Sequence, residues 1–356
     1  MIPENTLDQL QKELDATFQK AERQRKILRV SQIACYGTAF LFFLFVISMM
    51  FLPAMGLFVH DYVANPNPTF WEANPILIFI IPAFALIFIS SWIFPQAFSR
   101  FTTLEKSSVQ KIMGRLFPQA DFTFGYVHVP KSTLLNSKFY PELKVKDSSV
   151  KVFGAFSFRD KVTELKAYEV ATVKGSGQNI ITNSAPFMYI KLLQQVFGMA
   201  FSSRFDNSLY AFRGLFAYAV LPKKINGTVI ILPDKLTSHL DYLAETIQAM
   251  KTVDGSKLVK LEDPEFERRF AVYSTDENLA RYILTPLMMQ QMTSLHTKYN
   301  RDIMLSFNDD KFHFSVPMPE GLLTLGDKSI TGRNSVQIIY DNVTVAQSIL
   351  KELRLG

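Results

Sequence analysis

From Ser31 to Val59 the chain carries no charged residue, and a second charge-free stretch runs from Ala73 to Ser99. A helix needs about 20 predominantly apolar residues to cross the hydrocarbon core of a bilayer. Both stretches are long enough. Buried core helices are shorter and seldom wholly uncharged. A cleaved leader does not fit either, because the preceding segment is too long and too acidic. The expectation is a two-helix transmembrane hairpin. Lys20, Arg23, Arg25, Lys26 and Arg29 precede the first span, and Arg100, Lys106, Lys111 and Arg115 follow the second. The connecting loop, 60–74, holds Asp61 and Glu72 but no Lys or Arg. That asymmetry predicts both termini on the cytoplasmic side, and Trp71 and Trp92 stand where interfacial aromatics belong.

The expected organisation is a cytoplasmic amphipathic helix over 1–29, a membrane hairpin over 30–99 and a cytoplasmic domain over 100–356. In the first segment Leu7, Leu10, Leu14, Phe18 and Ala21 share one helical face. This face either packs on the chain's own domain or forms a short coiled coil, making a homo-oligomer. The last segment carries 32 basic and 25 acidic residues, a net +7 against +6 for the whole chain, the loop being acidic. Such a domain is attracted to anionic headgroups. No basic block with interleaved aromatics accompanies the charge, so nucleic acid is not an expected partner.

Beyond Ser99 the pattern mixes strands and helices without regular βαβ alternation. This predicts an α+β fold with a mixed, mainly antiparallel sheet and packed helices. Strands are expected at Phe122–His128, Val150–Phe158, Leu165–Val173, Leu209–Leu221, Thr228–Leu232, Leu258–Leu261, Ala271–Tyr273, Ile303–Phe307 and Phe312–Val316. Asn226-Gly227 reads as a hairpin joining the fourth and fifth, and Asn308-Asp309-Asp310 as another. Helices are expected over Arg100–Phe117, Thr237–Met250 and Ser335–Leu353. A short one opens at Asp263-Pro264. Another opens at the Ser274–Glu277 capping box and is kinked or restarted at Pro286.

Phosphate-loop, zinc-protease, nucleophile-elbow and calcium-loop motifs are all missing from the sequence. The single cysteine, Cys35, lies in the first apolar stretch, which excludes an intrachain disulfide and a thiolate zinc site. His60, His128, His239, His296 and His313 show no ligand spacing on one element. No catalytic residue, cofactor or metal site is therefore assigned. The acidic run Glu262, Asp263, Glu265 and Glu267 reads as a capped helix start or as a paired-carboxylate acid/base site. Arg268 and Arg269, which follow it, are candidate partner or phosphate contacts. Met288 and Met292 lie on a Met-rich helical face that is either core or an adaptable groove. Phe187, Ile190, Phe197 and Phe201 share one side of an unusual stretch, 183–205. It is read as a packing helix, an in-plane membrane helix or a partner-docking helix.

The run from Leu258 through Asp276, with Ala280-Arg281-Tyr282-Ile283-Leu284-Thr285-Pro286, resembles a bacterial membrane family catalogued as domain of unknown function 3137. Phe212-Arg213-Gly214-Leu215-Phe216, Phe153-Gly154 and Glu352-Leu353-Arg354-Leu355 support the resemblance. It implies a multi-pass bacterial inner-membrane protein and, by gene neighbourhood in the family, a LemA-type membrane-protein partner. The family has no established reaction, so it supplies no catalytic residues. The function expected is a membrane-anchored cytoplasmic binding or scaffold module of an inner-membrane complex. The alternative is a lipid-binding or sensing domain at the inner leaflet, and a third is an enzyme with an unrecognised site.

Overall fold

The alternation of small, β-branched and aromatic residues after Pro118 is realised as a single sheet in a computed structural model. The structure describes residues 4–51, 77–146, 148–159, 164–173, 210–221, 223–234, 255–326 and 328–352, with the side chains of the first two helices described in part. In chain order the elements are α1 (Glu4–Phe51), α2 (Leu77–Leu116), β1 (Ala120–Phe124), α3 (Lys131–Asn136), a 3-10 turn (Pro141–Lys144), β2 (Ser149–Arg159), β3 (Glu164–Val173), β4 (Phe212–Val220), β5 (Thr228–Pro233), β6 (Lys257–Val259), α4 (Pro264–Glu267), β7 (Phe270–Ser274), α5 (Glu277–Ile283), α6 (Pro286–Tyr299), β8 (Met304–Asn308), β9 (Lys311–Pro317) and α7 (Ser335–Glu352). The chain divides into two compact units. One comprises Met1–Ala16, Glu105–Ile181 and Arg204–Gly356, the other Thr17–Leu104 and Thr182–Ser203.

The expected membrane hairpin and the multi-pass inner-membrane location with cytoplasmic termini are corrected. Among the described residues no helix is long and apolar enough to cross a membrane. A crossing helix must present about 20 apolar residues to hydrocarbon. The expected loop at 60–74, the helix at Thr237–Met250 and the stretch 183–205 with Phe187, Ile190, Phe197 and Phe201 lie outside the described residues.

Among the described residues of the first unit the sheet has nine strands, in the order β1-β2-β3-β4-β9-β8-β5-β7-β6. Every neighbouring pair is antiparallel. The α+β expectation with an antiparallel sheet therefore holds. The hairpin expected between β4 and β5 does not form. The β8–β9 hairpin, turning at Asp309 with φ 55°, lies between them. The connection from β4 to β5 runs across its tip, where Leu221 N–H donates to Asp310 O at 2.7 Å and Ile225 N–H to Asp309 O at 2.8 Å. β1 ends earlier than expected, because Gly125 turns the chain with φ 101°.

Local signals set the starts of α4, α5 and α6. The Asp263 carboxylate accepts from Glu265 N–H at 2.9 Å and Phe266 N–H at 3.1 Å, with Pro264 in the first turn. Pro286 restarts the chain as α6, capped by the Thr285 hydroxyl. The cap of α5 is Asp276, two residues after the expected Ser274. Ser274 is drawn instead into β7, where its hydroxyl donates to Asp276 O at 2.6 Å.

Both faces of the sheet are covered. On one, Val152, Val170, Phe212, Phe216, Ile230, Met304 and Tyr273 form a core with Leu134, Phe139, Tyr140 and Leu143 from the segment before β2. Lys131 holds that segment closed, its ammonium donating to Ser148 Oγ at 2.7 Å and Val145 O at 3.2 Å. On the other face Phe117 stacks on Tyr340 of α7 and meets Phe158 of β2 edge-on. The start of α1 belongs to this unit. Leu7, Leu10 and Leu14 are buried. Gln11 Oε1 accepts from Val336 N–H at 3.2 Å, capping α7 from outside. Packing within the chain is thus the alternative observed for these three leucines.

In the second unit, α1 buries Phe18, Ala21 and Leu28, and α2 buries Phe94, Ala97 and Phe101. Glu22 and Arg25, one turn apart on α1, form a buried ion pair at 2.7 Å.

Candidate functional site

The residues with the most chemical potential lie inside the first unit. Glu169, on β3, is fully buried, and its Oε2 accepts from Leu323 N–H at 2.9 Å while Oε1 accepts from Arg213 Nη2 at 3.2 Å. The Arg213 guanidinium also lies over the Phe153 ring at 4.9 Å. Phe153 reaches it because a bulge shifts the β2–β3 register between Val152 and Gly154. Glu105, near the end of α2, is fully buried too. Its Oε1 accepts from the Thr324 hydroxyl and from Leu325 N–H at 2.9 Å. The segment between β9 and α7 is therefore threaded into the interior on two carboxylates. Asn342 of α7 adds donors to the carbonyls of Gly321 and Leu322. Gly321 has φ 91°, and a Cβ there would sit 2.1 Å from Thr324 Cγ2 and 2.9 Å from Glu169 Oε1. These groups hold backbone in place and are shielded from solvent. Their burial has no local sequence signature beyond one carboxylate in the apolar strand 165–173.

His313, on β9, is buried against Phe216 and Tyr218 with ring centroids at 6.1 and 6.3 Å. Neither ring nitrogen has a hydrogen-bond partner of sound geometry among the described residues. Ser306, its cross-strand partner on β8, is likewise buried with an unpartnered hydroxyl. Burial pushes the imidazole down to about 4, Lys311 adding to the shift and the Ser306 backbone and Asp310 opposing it. The sequence offers no sign of this burial, since His313 shows only a lack of ligand spacing there.

The predicted contact residues separate by burial. Met288 and Met292 are buried on α6. Arg268 is exposed at the end of α4, while Arg269 is half-buried and pairs with Glu265 at 3.1 Å. Arg269 also lies near His296. That imidazole packs edge-on against Phe270 and stands 3.9 Å from Asp302. Burial lowers its pKa, Asp302 opposing and Arg269 assisting.

Arg281 ties this region together. Its Nη2 donates to Lys260 O at 3.1 Å and to Glu277 Oε1 at 2.8 Å, with Glu262 at 3.9 Å. The bond to Lys260 fixes α5 against the loop that follows β6, the last strand of the sheet. Leu258, Tyr282 and Leu287, all from this stretch, are exposed. The sequence places Leu258 and Tyr282 in the run that carries the family resemblance and Leu287 beside the Met-rich face, but marks none of them as an exposed contact. Among the described residues no group of three or more His, Cys, Asp or Glu is placed to hold a metal ion.

Residues 210–355 match a protein family described as Protein of unknown function (DUF3137). That span contains β4 through α7 and the whole Arg281 region. Among solved structures, the mycobacterial trehalose monomycolate transport factor A, TtfA, aligns at 8% identity over 71% of this chain and 94% of its own, with a TM-score of 0.35. A likeness at that level carries no argument about this chain. No curated protein matches.

Proposed function

We propose that this chain, whose residues 210–355 match the DUF3137 family, is a binding protein whose sheet unit docks a protein partner through the β6–α4–α5 region. The observation that carries this reading is the Arg281 clamp. It holds α5 to the Lys260 loop, and Leu258, Tyr282 and Leu287 stand exposed in the same stretch with Arg268. Aromatic side chains and arginines, here Tyr282 and Arg268, make up the anchors of many interfaces. A LemA-type membrane protein, implied by the family resemblance, is one occupant to test.

The experiment is photocrosslinking from position 282 in cells, with Leu287→Ser and Arg268→Ser as competitor variants. A single adduct is expected, weakened at least tenfold by either substitution with the fold intact by circular dichroism. Equal adducts in all variants, or none in any, would remove this surface from consideration. The second reading, a lipid-binding domain, is supported by the +7 charge of 100–356 and by a feature of the other unit.

A further inference from the structure

On α2 the side chains of Ile81, Ala85, Phe88, Ile89 and Trp92 are exposed, Trp92 by 66%. Their spacing of 4, 3, 1 and 3 residues places all five on one helical face. Continuing along that face toward the C-terminus, the next charged residue is Arg100, also exposed. The part of α1 that lies in the same unit has the reverse order. Arg23 and Lys26 are exposed, and then Val30 and Ile33, at 67% and 65%, occupy the same face. In each helix an apolar stripe thus adjoins charge of one sign.

The absence of exposed acid beside these stripes has a specific cause. Between Thr17 and Ala34 the lone carboxylate is Glu22, and it is buried in its ion pair with Arg25. Between Leu77 and Leu104 the sequence holds no acid at all. Among the described residues of these two segments, the charge that faces solvent is therefore basic throughout, from Lys20, Arg23, Lys26, Arg29 and Arg100.

We infer that these two stripes bind an anionic lipid surface, with the apolar side chains in contact with acyl chains and the basic ones among the headgroups. Contiguous exposed apolar side chains mark an interaction site. The occupant must offer hydrocarbon bordered by negative charge, which an anionic lipid surface does. Trp92 fits the boundary, where an amphipathic indole is favoured. Eight residues of helix separate it from Arg100, about 12 Å of rise, so the guanidinium extends outward to the phosphates. Each basic side chain near such a surface strengthens binding. The inference concerns contact with a lipid surface and needs no helix that crosses one.

The test uses the full chain and two kinds of vesicle, pure phosphatidylcholine and phosphatidylcholine with 30% phosphatidylglycerol (roughly the charge density at which such attraction is felt). The unmodified chain should float with the anionic vesicles and less with the neutral ones. The triple variant Arg23→Gln, Lys26→Gln, Arg29→Gln should lose roughly 100-fold in partition to anionic vesicles and little to neutral ones. The triple variant Ile81→Ser, Ile89→Ser, Trp92→Ser should lose binding to both. Fluorescence assigned to Trp92 by difference from Trp92→Phe should shift to the blue on binding. Failure of the unmodified chain to float with either vesicle overturns the inference and leaves an acidic, apolar protein surface as the occupant. Unchanged flotation of the serine variant, or an unshifted Trp92, overturns it too.

Discussion

Leu325 donates its backbone N–H to Glu105 Oε1 at 2.9 Å across 220 residues of sequence. The same oxygen accepts the Thr324 hydroxyl. Glu105→Ala removes an acceptor from two buried donors at once, so unfolding by urea should show a loss of about 2–4 kcal/mol. Glu105→Gln keeps a carbonyl at the position and should lose less than half as much. Equal losses in both variants would mean that side-chain volume, not the accepted hydrogen bonds, holds this contact.

Glu169 and Arg213 form the second buried anchor, at 3.2 Å. Removing one partner of a buried pair leaves a charge without compensation, at about 3–5 kcal/mol. Arg213→Met and Glu169→Leu should each fall in that range. The double variant should be more stable than the sum of the two losses by at least ~1 kcal/mol. Strict additivity would show that the pair is not coupled.

Gly321→Ala tests the backbone that these carboxylates hold. Its φ of 91° is strained for a residue with a Cβ, and the added atom would meet Thr324 Cγ2 at 2.1 Å. A loss of about 2 kcal/mol or more is expected in the same urea titration. Gly332→Ala, with φ 85° and open space around its Cβ, should show the backbone part alone and lose less.

His313 makes stability depend on pH. Its folded pKa is lowered from 6.5 to about 4, so the unfolded chain takes up the proton first as pH falls. The stability this group contributes is complete above about pH 6.5 and is lost as pH drops toward 4, by at most roughly 3 kcal/mol. Urea midpoints between pH 8 and pH 4.5 should fall in the parent chain. In His313→Phe they should fall less steeply. Parallel curves would exclude this imidazole as a source of the acid sensitivity.

Leu10 lies in the apolar stripe at the start of α1 and is almost wholly buried. Leu10→Ala should destabilise the sheet unit by about 2–4 kcal/mol and leave the sedimentation coefficient unchanged. A change of oligomeric state without loss of stability would restore the coiled-coil reading of that stripe.

The expected strands all reappear, because runs such as Val150-Lys151-Val152-Phe153 and Val229-Ile230-Ile231 combine β-branched and aromatic side chains with burial in the sheet. Their pairing is another matter. Asn226-Gly227 is a strong local hairpin signal, yet β4 pairs with β9 because Phe312, Phe314 and Val316 fill the place beside it. The helix α3 and the turn after it have no comparable local signal, since Lys131 makes its bonds 14 and 17 residues away. Buried charge is equally hidden. Glu169 depends on Arg213, 44 residues on, and Glu105 on Thr324, 219 residues on. The charge-free stretches suggest crossing helices, whereas no described helix meets that standard. Arg268 and Arg269 are legible as neighbours of a helix cap, but not the Arg281 clamp beside them, because Lys260 lies 21 residues earlier.

The place of the β8–β9 hairpin between β4 and β5 also governs the order of assembly. Until residues 304–317 emerge from the ribosome, β4 and β5 have no partner on the sides that later meet β9 and β8. The nascent chain must carry β1–β4 and β5–β7–β6 as two incomplete sheets with open edges, each a template for unwanted pairing. Closure comes late, through contacts about a hundred residues apart such as Ser315 Oγ to Leu215 O. A chain released before Met304 would therefore be two sticky fragments rather than a shorter version of the same sheet, and slow, chaperone-dependent folding is the expected price of this topology.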